Sequence, residues 1–327
     1  MTSYLIWIPS LQDYKRFGEF KTSHQKQLSK LTDEPLEFLF TLNNIIEELC
    51  VDELDFKNLT LIDKYIICTY LRMRCIDTSI DLSMECPTCG ATFKGNIDLN
   101  EVIENNIDVL DKEYKAIISV GDYIFSCSMP TLQNEYELLR VLQDKHIQQN
   151  SMENVYSYHT LAHIDTLSLR GVECKLKEIP ADSAGLILSK IPLKIIKEVQ
   201  NKFVTPTAET LSPSIMNIPC PTGETCNPFE LNLSLINVND LVKLMFQESP
   251  VEILREIFYL ARYGHVDSYY VEDLTPKERT TMLKFIIEEK KTEKEQSERS
   301  QSGQEMTAIG SEHGFDGVES PSKEFGF

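Results

Sequence analysis

The sequence is poor in glycine and in basic residues. Glycine fills 13 of 327 positions, and neither a glycine-rich nucleotide-binding motif nor a serine nucleophile motif is present. Lys and Arg total 32 against 51 Asp and Glu, which gives a formal net charge of −19. Because like charges repel, this surface disfavours binding to nucleic acid and to anionic membranes.

Long apolar runs and export signals are also lacking. Leu186–Ile196 is among the longest apolar runs, but Lys190 and Pro192 interrupt it and it is too short to span a bilayer. The N-terminal residues have no basic start followed by an apolar stretch and a small-residue cleavage site. We therefore expect a soluble intracellular protein without a membrane partner.

No catalytic constellation is evident in the sequence. Acidic residues are scattered through helical patterns, so no particular carboxylate pair is favoured. His159 and His163 stand four residues apart, but Thr160 occupies the position at which a zinc protease motif has Glu. We interpret them as a half-buried pair, and we predict a non-enzymatic protein without a small-molecule substrate.

The sequence contains enough hydrophobic residues to form a core, since they make up 42% of the chain. The periodicity of these residues predicts an α+β protein that is mainly helical, with a zinc-ribbon-like β insertion built from two separated cysteine hairpins. We predict four regions: a strand and helices at 1–78, a β region at 79–235 with a helical insertion at about 131–204, helices at 236–291, and a disordered acidic tail at 292–327.

Local signals place individual elements. Alternation predicts a strand at Tyr4–Pro9, further strands at Ser79–Glu85, Ala91–Asp98, Tyr114–Val120 and Asp122–Met129, and another over 228–235. Helix starts are predicted at four capping boxes, which begin at Thr22, Thr60, Ser249 and Thr275. Gly264 is placed as a helix C-terminal glycine. Glu153–Leu167 is predicted to be a helix.

The nine cysteines are of two kinds. An odd count in a chain that is not secreted favours reduced thiols or a metal site over disulfides. Five lie among apolar residues, where free cysteine behaves as a small core residue: Cys50, Cys68, Cys75, Cys127 and Cys174. The other four form two pairs flanked by turn residues, Cys86-Pro-Thr-Cys89-Gly90 and Cys220-Pro-Thr-Gly-Glu-Thr-Cys226.

We predict that Cys86, Cys89, Cys220 and Cys226 hold a structural zinc ion, because two cysteine turns supply four thiolates for a tetrahedron. Two other interpretations stay open. A redox pair needs its first cysteine at a helix N-terminus, whereas strand-like residues follow Cys89. Four unrelated thiols are also compatible with the sequence, since five residues separate Cys220 from Cys226 and 130 residues separate the two pairs.

The order of short segments resembles the baseplate hub assembly proteins of T-even-type contractile-tailed bacteriophages. The resemblance covers roughly residues 5–290, and its sharpest pieces are Cys86–Gly90 and the helix start Thr275-Pro-Lys-Glu-Arg279. The other matching pieces are Trp7–Leu11, Phe17–Leu31, Asn44–Arg74, Phe93 with Ile97–Leu99, Tyr156–Ile164, the second cysteine pair and Phe258–His265.

The resemblance implies a non-enzymatic role in building the central hub of the phage baseplate. It implies hub proteins as partners and a location in the cytoplasm of the infected bacterial host or in the virion baseplate. Whether the protein is a transient chaperone or a hub component stays open. The alternative is a zinc-ribbon transcription-associated factor, which would need a basic face that the net charge of −19 does not favour.

Overall fold

The computed structural model describes residues 2–31, 34–100, 103, 114–144, 160–207, 214–221, 226, 229–232 and 238–305. The chain divides into a compact unit of residues 1–280 and a second unit of residues 281–327. The described residues combine helices with small antiparallel sheets, so the predicted α+β class is confirmed. The predicted division into four regions stays a prediction.

Ten β-strands form four antiparallel sheets in the described residues. Three sheets are two-stranded hairpins, β1–β2, β3–β4 and β9–β10, and the fourth is the meander β5-β6-β7-β8. The strands are β1 Ser3–Ile8, β2 Asp13–Gly18, β3 Ser79–Glu85, β4 Thr92–Asp98, β5 Lys115–Val120, β6 Tyr123–Ser128, β7 Ile164–Leu169, β8 Val172–Lys175, β9 Ser214–Ile218 and β10 Phe229–Asn232.

The described residues also contain ten named α-helices. They are α1 Thr22–Ser29, α2 Pro35–Leu49, α3 Leu61–Cys75, α4 Leu132–Asp144, α5 Ala181–Leu188, α6 Leu193–Val199, α7 Val238–Phe246, α8 Pro250–Tyr263, α9 Ser268–Asp273 and α10 Pro276–Glu305. A π-helical turn at Gln200–Val204 continues α6. None of the described helices combines the length and apolar character that crossing a membrane requires.

The first hydrophobic core lies between the β1–β2 hairpin and helices α2, α3 and α7. Helix α3 begins with the predicted capping box, in which the backbone N–H of Thr60 donates to Asp63 Oδ2 at 2.7 Å and Asp63 N–H donates to Thr60 Oγ1 at 3.3 Å. The other carboxylate oxygen of Asp63 accepts from the Ser10 N–H at 3.0 Å. One side chain therefore both starts α3 and attaches it to the turn after β1.

A second hydrophobic core lies against one face of the four-stranded sheet. Phe125 and Cys127 of β6 and Ile164 of β7 are fully buried there, together with Val199 of α6. Alternate residues of β5 and β6 point the other way, as a sheet covered on one face requires.

The predicted helix at Glu153–Leu167 is wrong in its last residues. The described residues 160–163 are helical, but β7 begins at Ile164 and pairs with both β6 and β8. Leu161, Ile164 and Leu167 are buried at a spacing of three, which also fits a helix. The strand neighbours decide the outcome, because β7 completes backbone hydrogen bonds on both of its edges.

Two helix ends differ from prediction. The N-cap of α1 is Lys21 and not Thr22, because the Lys21 N–H donates to His24 Nδ1 at 3.1 Å while Thr22 is buried inside the helix. The end of α8 is as predicted, since Gly264 is its C-cap residue and the Gly264 N–H donates to the Leu260 carbonyl at 3.0 Å, although the residue with left-handed backbone is His265, with φ of 53°. Helix α10 continues past residue 291 to Glu305, and pairs such as Lys290–Glu293 support its charged surface. Residues 306–327 lie outside the described residues.

Candidate metal centre

Cys86 and Cys89 lie in the turn that joins β3 to β4. The strands pair in register up to Glu85 and Thr92, so the turn begins directly at Cys86. The Cys86 N–H donates to the Ala91 carbonyl at 2.9 Å, and the Gly90 N–H donates to the Cys86 carbonyl at 2.8 Å. Gly90 has φ of +71°, a conformation that a side chain would strain. The sulfur atoms of Cys86 and Cys89 lie within 4.8 Å of each other in this closed turn.

Cys220 and Cys226 lie in the connection between β9 and β10. Phe229 of β10 is paired with Ile218 of β9, which brings the two ends of the connection together. Cys220 and Cys226 are both half-buried. The strand predicted over 228–235 is observed at Phe229–Asn232, and residues 222–225, 227–228 and 233–237 lie outside the described residues.

The structure brings the four predicted cysteines together from hairpins more than a hundred residues apart in sequence. Their sulfur atoms all lie within 4.8 Å of one another, and the Sγ atoms of Cys89 and Cys220 are 3.7 Å apart. Four thiolates around a tetrahedral zinc ion at about 2.3 Å lie about 3.8 Å from each other. The spacing therefore fits a Cys₄ centre, and in the described residues no histidine, aspartate or glutamate joins the four sulfurs.

The four cysteines of the cluster differ in their exposure to solvent. Cys86 is 1% exposed, whereas Cys89 is exposed to solvent. The neighbouring thiol of Cys89, followed by burial and by the thiols of Cys220 and Cys86, raises the pKa of Cys226 to about 12. The Cys226 thiol thus resists ionisation, and a divalent cation among the four sulfurs would compensate the charge of its thiolate.

The five other cysteines lie apart from this cluster, as predicted. Cys68, Cys75 and Cys127 are buried, and Cys50 and Cys174 are half-buried. Burial raises the pKa of the Cys68 and Cys127 thiols to about 12 and that of Cys75 to about 11. These thiols pack as core residues, which matches the division made from their sequence context.

The histidine pair does not form a described site. His163 packs edge-on against Phe203, with ring centroids 6.1 Å apart. His159 lies outside the described residues.

The turn at Cys86–Gly90 is not followed by a helix, since β4 begins at Thr92. The helix dipole that activates a redox cysteine is therefore missing at this position.

These features define an α+β protein in which two distant hairpins meet at a cluster of four thiols. Comparison with protein families gives this class a biological identity: the chain belongs to the family described as T4 bacteriophage base plate protein, which matches residues 1–227. All four clustered cysteines lie within the matched residues. Comparison with curated proteins and with solved structures gives no match.

Membership of this family places the protein among bacteriophage baseplate components and assembly proteins, which act together with other phage baseplate proteins. The resemblance to phage baseplate proteins is therefore confirmed at the level of the family.

Proposed function

We propose that the protein is a non-enzymatic assembly factor that helps to build the central hub of the phage baseplate. The observation that carries this proposal is the family match, which spans residues 1–227 and contains both cysteine hairpins. The order of sequence segments supports the more specific hub assignment. Its partners are hub proteins, and it acts in the cytoplasm of the infected host or within the virion baseplate.

A structural zinc ion at Cys86, Cys89, Cys220 and Cys226 is part of this proposal. Support comes from the mutual sulfur distances of at most 4.8 Å and from the donor set, since four thiolates suit zinc. Four protein ligands leave no open coordination position, so the ion would stabilise the fold and take part in no reaction.

The consequence of such an ion is a link between the β3–β4 and β9–β10 hairpins. These hairpins belong to separate two-stranded sheets, and an isolated two-stranded hairpin is marginally stable in water. Metal binding would supply the stability that neither small sheet has alone. The residues between the hairpins, including the four-stranded sheet, would thereby be anchored at both ends.

The charge of the chain indicates the kind of partner. A net charge of −19 repels nucleic acid and attracts proteins that carry basic surfaces. We therefore expect the hub proteins that it binds to present Lys- and Arg-rich patches, and we expect their complexes with this chain to weaken as salt concentration rises.

Interruption of the gene in the phage tests the hub assignment. We expect unassembled hub proteins to accumulate and tails to be missing, with recovery when the intact gene is supplied in the host. Normal baseplates in the absence of the protein would contradict the proposal. Mass spectrometry of purified virions then distinguishes a transient chaperone from a hub component, because a chaperone is absent from the finished particle.

A further inference from the structure

Helix α8 carries apolar side chains on two different faces. Three residues of its inner face are buried against the chain: Ile253, Ile257 and Leu260. Three residues of its outer face are exposed, with exposed fractions of 59%, 53% and 59%: Val251, Leu254 and Phe258. A helix on the surface of a folded protein needs one apolar face, which it turns to the core. The packing of α8 within the chain therefore does not account for its outer face.

The outer residues form a continuous stripe along α8. Val251, Leu254 and Phe258 follow each other at i, i+3 and i+7, and Arg262 extends the same line by four residues. Because each residue adds about 1.5 Å to a helix, the stripe from Val251 to Arg262 is about 17 Å long. Apolar side chains at this spacing form a ridge that packs into the groove of a second helix. The outer face of α8 thus has the length of about three turns of a partner helix.

Exposed apolar side chains are concentrated around this stripe. The described residues contain 19 large hydrophobic side chains that are exposed, and six of them lie between residues 251 and 270. They are Val251, Leu254, Phe258, Tyr263, Tyr269 and Tyr270. The structure describes the side chains of residues 242–297 without a gap, and the family match ends at residue 227. A concentration of exposed apolar side chains marks an interaction site, and membership of the family assigns none to this segment.

The ion pairs of α8 leave one cation on the outer face. Glu252 is paired with Arg255 at 2.7 Å, and Glu256 is paired with Arg279 at 2.7 Å. The exposed side chain of Arg262 has no ion-pair partner in the part of the chain that the structure describes. Arginine binds a carboxylate through two parallel hydrogen bonds. An apolar stripe that ends in an unpaired guanidinium therefore suits a partner that offers apolar side chains and a carboxylate.

We infer that the outer face of α8 binds one amphipathic helix of another protein. The apolar residues of that helix pack on Val251, Leu254 and Phe258, and a Glu or Asp of the helix pairs with Arg262. A second copy of the chain is disfavoured as the occupant, because both carboxylates of α8 are already paired and each copy carries a net charge of −19. The partner helix is opposite in charge to the basic surfaces expected of the hub proteins, so this inference is independent of the proposed hub and zinc functions.

The expected complex is weak, and apolar contact supplies most of its affinity. A stripe of about 17 Å buries less than the roughly 1,200 Å² of a standard protein interface. The ion pair at Arg262 lies at the surface, where such pairs contribute little to affinity. We therefore expect a dissociation constant of roughly 10–100 μM, which depends more on Phe258 than on Arg262.

Binding of two synthetic peptides to the full chain, measured by fluorescence anisotropy in about 0.15 M salt, tests this inference. Both peptides are amphipathic helices of about 18 residues with the same leucine stripe. The acidic peptide carries Glu beside the stripe, and the basic peptide carries Lys at the same positions. The protein variants are Phe258→Ser and Arg262→Glu. Their matched controls are Ile117→Ser on β5 and Arg170→Glu in the turn between β7 and β8, since both side chains are exposed and lie outside α8.

The acidic peptide should bind wild type, Ile117→Ser and Arg170→Glu with equal affinity. Its affinity should fall at least about tenfold in Phe258→Ser, because the apolar stripe is interrupted. It should fall about two- to fivefold in Arg262→Glu, because a surface ion pair is replaced by repulsion. The basic peptide should bind Arg262→Glu more tightly than it binds wild type, which a merely structural effect of the substitution would not produce.

Failure of the acidic peptide to bind wild type at about 500 μM overturns the inference, as does equal affinity for all four variants. A basic peptide that binds wild type more tightly than the acidic one, and loses that affinity in Phe258→Ser, overturns it in favour of a basic partner. Sedimentation velocity tests the remaining occupant. Wild type that dimerises at about 100 μM, together with Phe258→Ser that stays monomeric, would overturn the inference in favour of a second copy of the chain.

Discussion

Lys64 of α3 and Glu135 of α4 form a buried ion pair, with Lys64 Nζ 3.0 Å from Glu135 Oε2. Their side chains are 0% and 5% exposed. The pair joins a helix of the first core to the helix that leads from β6 towards the second core. Neither group can reach water, so both charges must be compensated inside the protein, and this ion pair contributes to that compensation.

Substituting one residue of this ion pair should lower the free energy of unfolding strongly, whereas substituting both residues should lower it much less. We expect Lys64→Met or Glu135→Leu alone to lower the free energy of unfolding by about 3–5 kcal/mol, because the remaining charge stays buried without its partner in this ion pair. The double variant should recover most of that loss. Urea denaturation of the three variants measures this, with Arg255→Ala as the control: Arg255 pairs with Glu252 on the surface, where about 0–1 kcal/mol is expected. Additive losses in the double variant would contradict this account.

Phe246 of α7 lies outside the family-matched residues but inside the first core. It is fully buried, and its ring lies 5.0 Å from that of Phe20. We expect Phe246→Ala to lower the free energy of unfolding by about 3–5 kcal/mol. Phe258→Ala on α8 is the matched control, since Phe258 is 59% exposed and its loss should cost less than about 0.5 kcal/mol. Equal effects of the two substitutions would show that α7 does not complete this core.

His24 makes the stability of the chain depend on pH. Burial lowers the pKa of His24 below its usual 6.5, Lys21 acts in the same direction, and Glu48 opposes them. The unfolded chain then binds the proton more tightly, so this contribution to stability is present above about pH 6.5 and is lost as the pH falls through the folded-state pKa. Protonation would also remove the acceptor for the Lys21 N–H.

We therefore expect the free energy of unfolding to fall between about pH 7.5 and about pH 5.5, and to fall less in His24→Gln. Glutamine accepts the same capping hydrogen bond without titrating. Urea denaturation at both pH values gives the comparison. If wild type and His24→Gln lose the same stability on acidification, His24 is not the group responsible.

Local signals in the sequence predicted the elements that their own side chains define. The capping boxes at Thr60 and Thr275 are observed with the expected hydrogen bonds, and the strand at Ser79–Glu85 has the predicted bounds. The turn at Cys86–Gly90 is equally local, because proline and a glycine with positive φ determine it. Such features need no knowledge of distant residues.

Elements that depend on distant partners were missed or misplaced. Strand β2, Asp-Tyr-Lys-Arg-Phe-Gly, has no strand pattern of its own, and it is a strand because β1 and residues 50–52 hydrogen-bond to it. Ile164–Leu167 changes from helix to strand for the same reason. The meeting of the two cysteine pairs was predicted from the chemistry of zinc ligands, and no local pattern gives their mutual distance.

Zinc content measured by mass spectrometry on purified wild-type protein and cysteine variants tests the central claim most directly. The variants are Cys86→Ser, Cys89→Ser, Cys220→Ser and Cys226→Ser, and the control is Cys174→Ser, a half-buried thiol outside the cluster. We expect about one zinc ion per chain in wild type and in Cys174→Ser, and loss of zinc in each of the other four. Zinc-free wild type, or full zinc retained in Cys220→Ser and Cys226→Ser, would contradict a centre that joins the two hairpins.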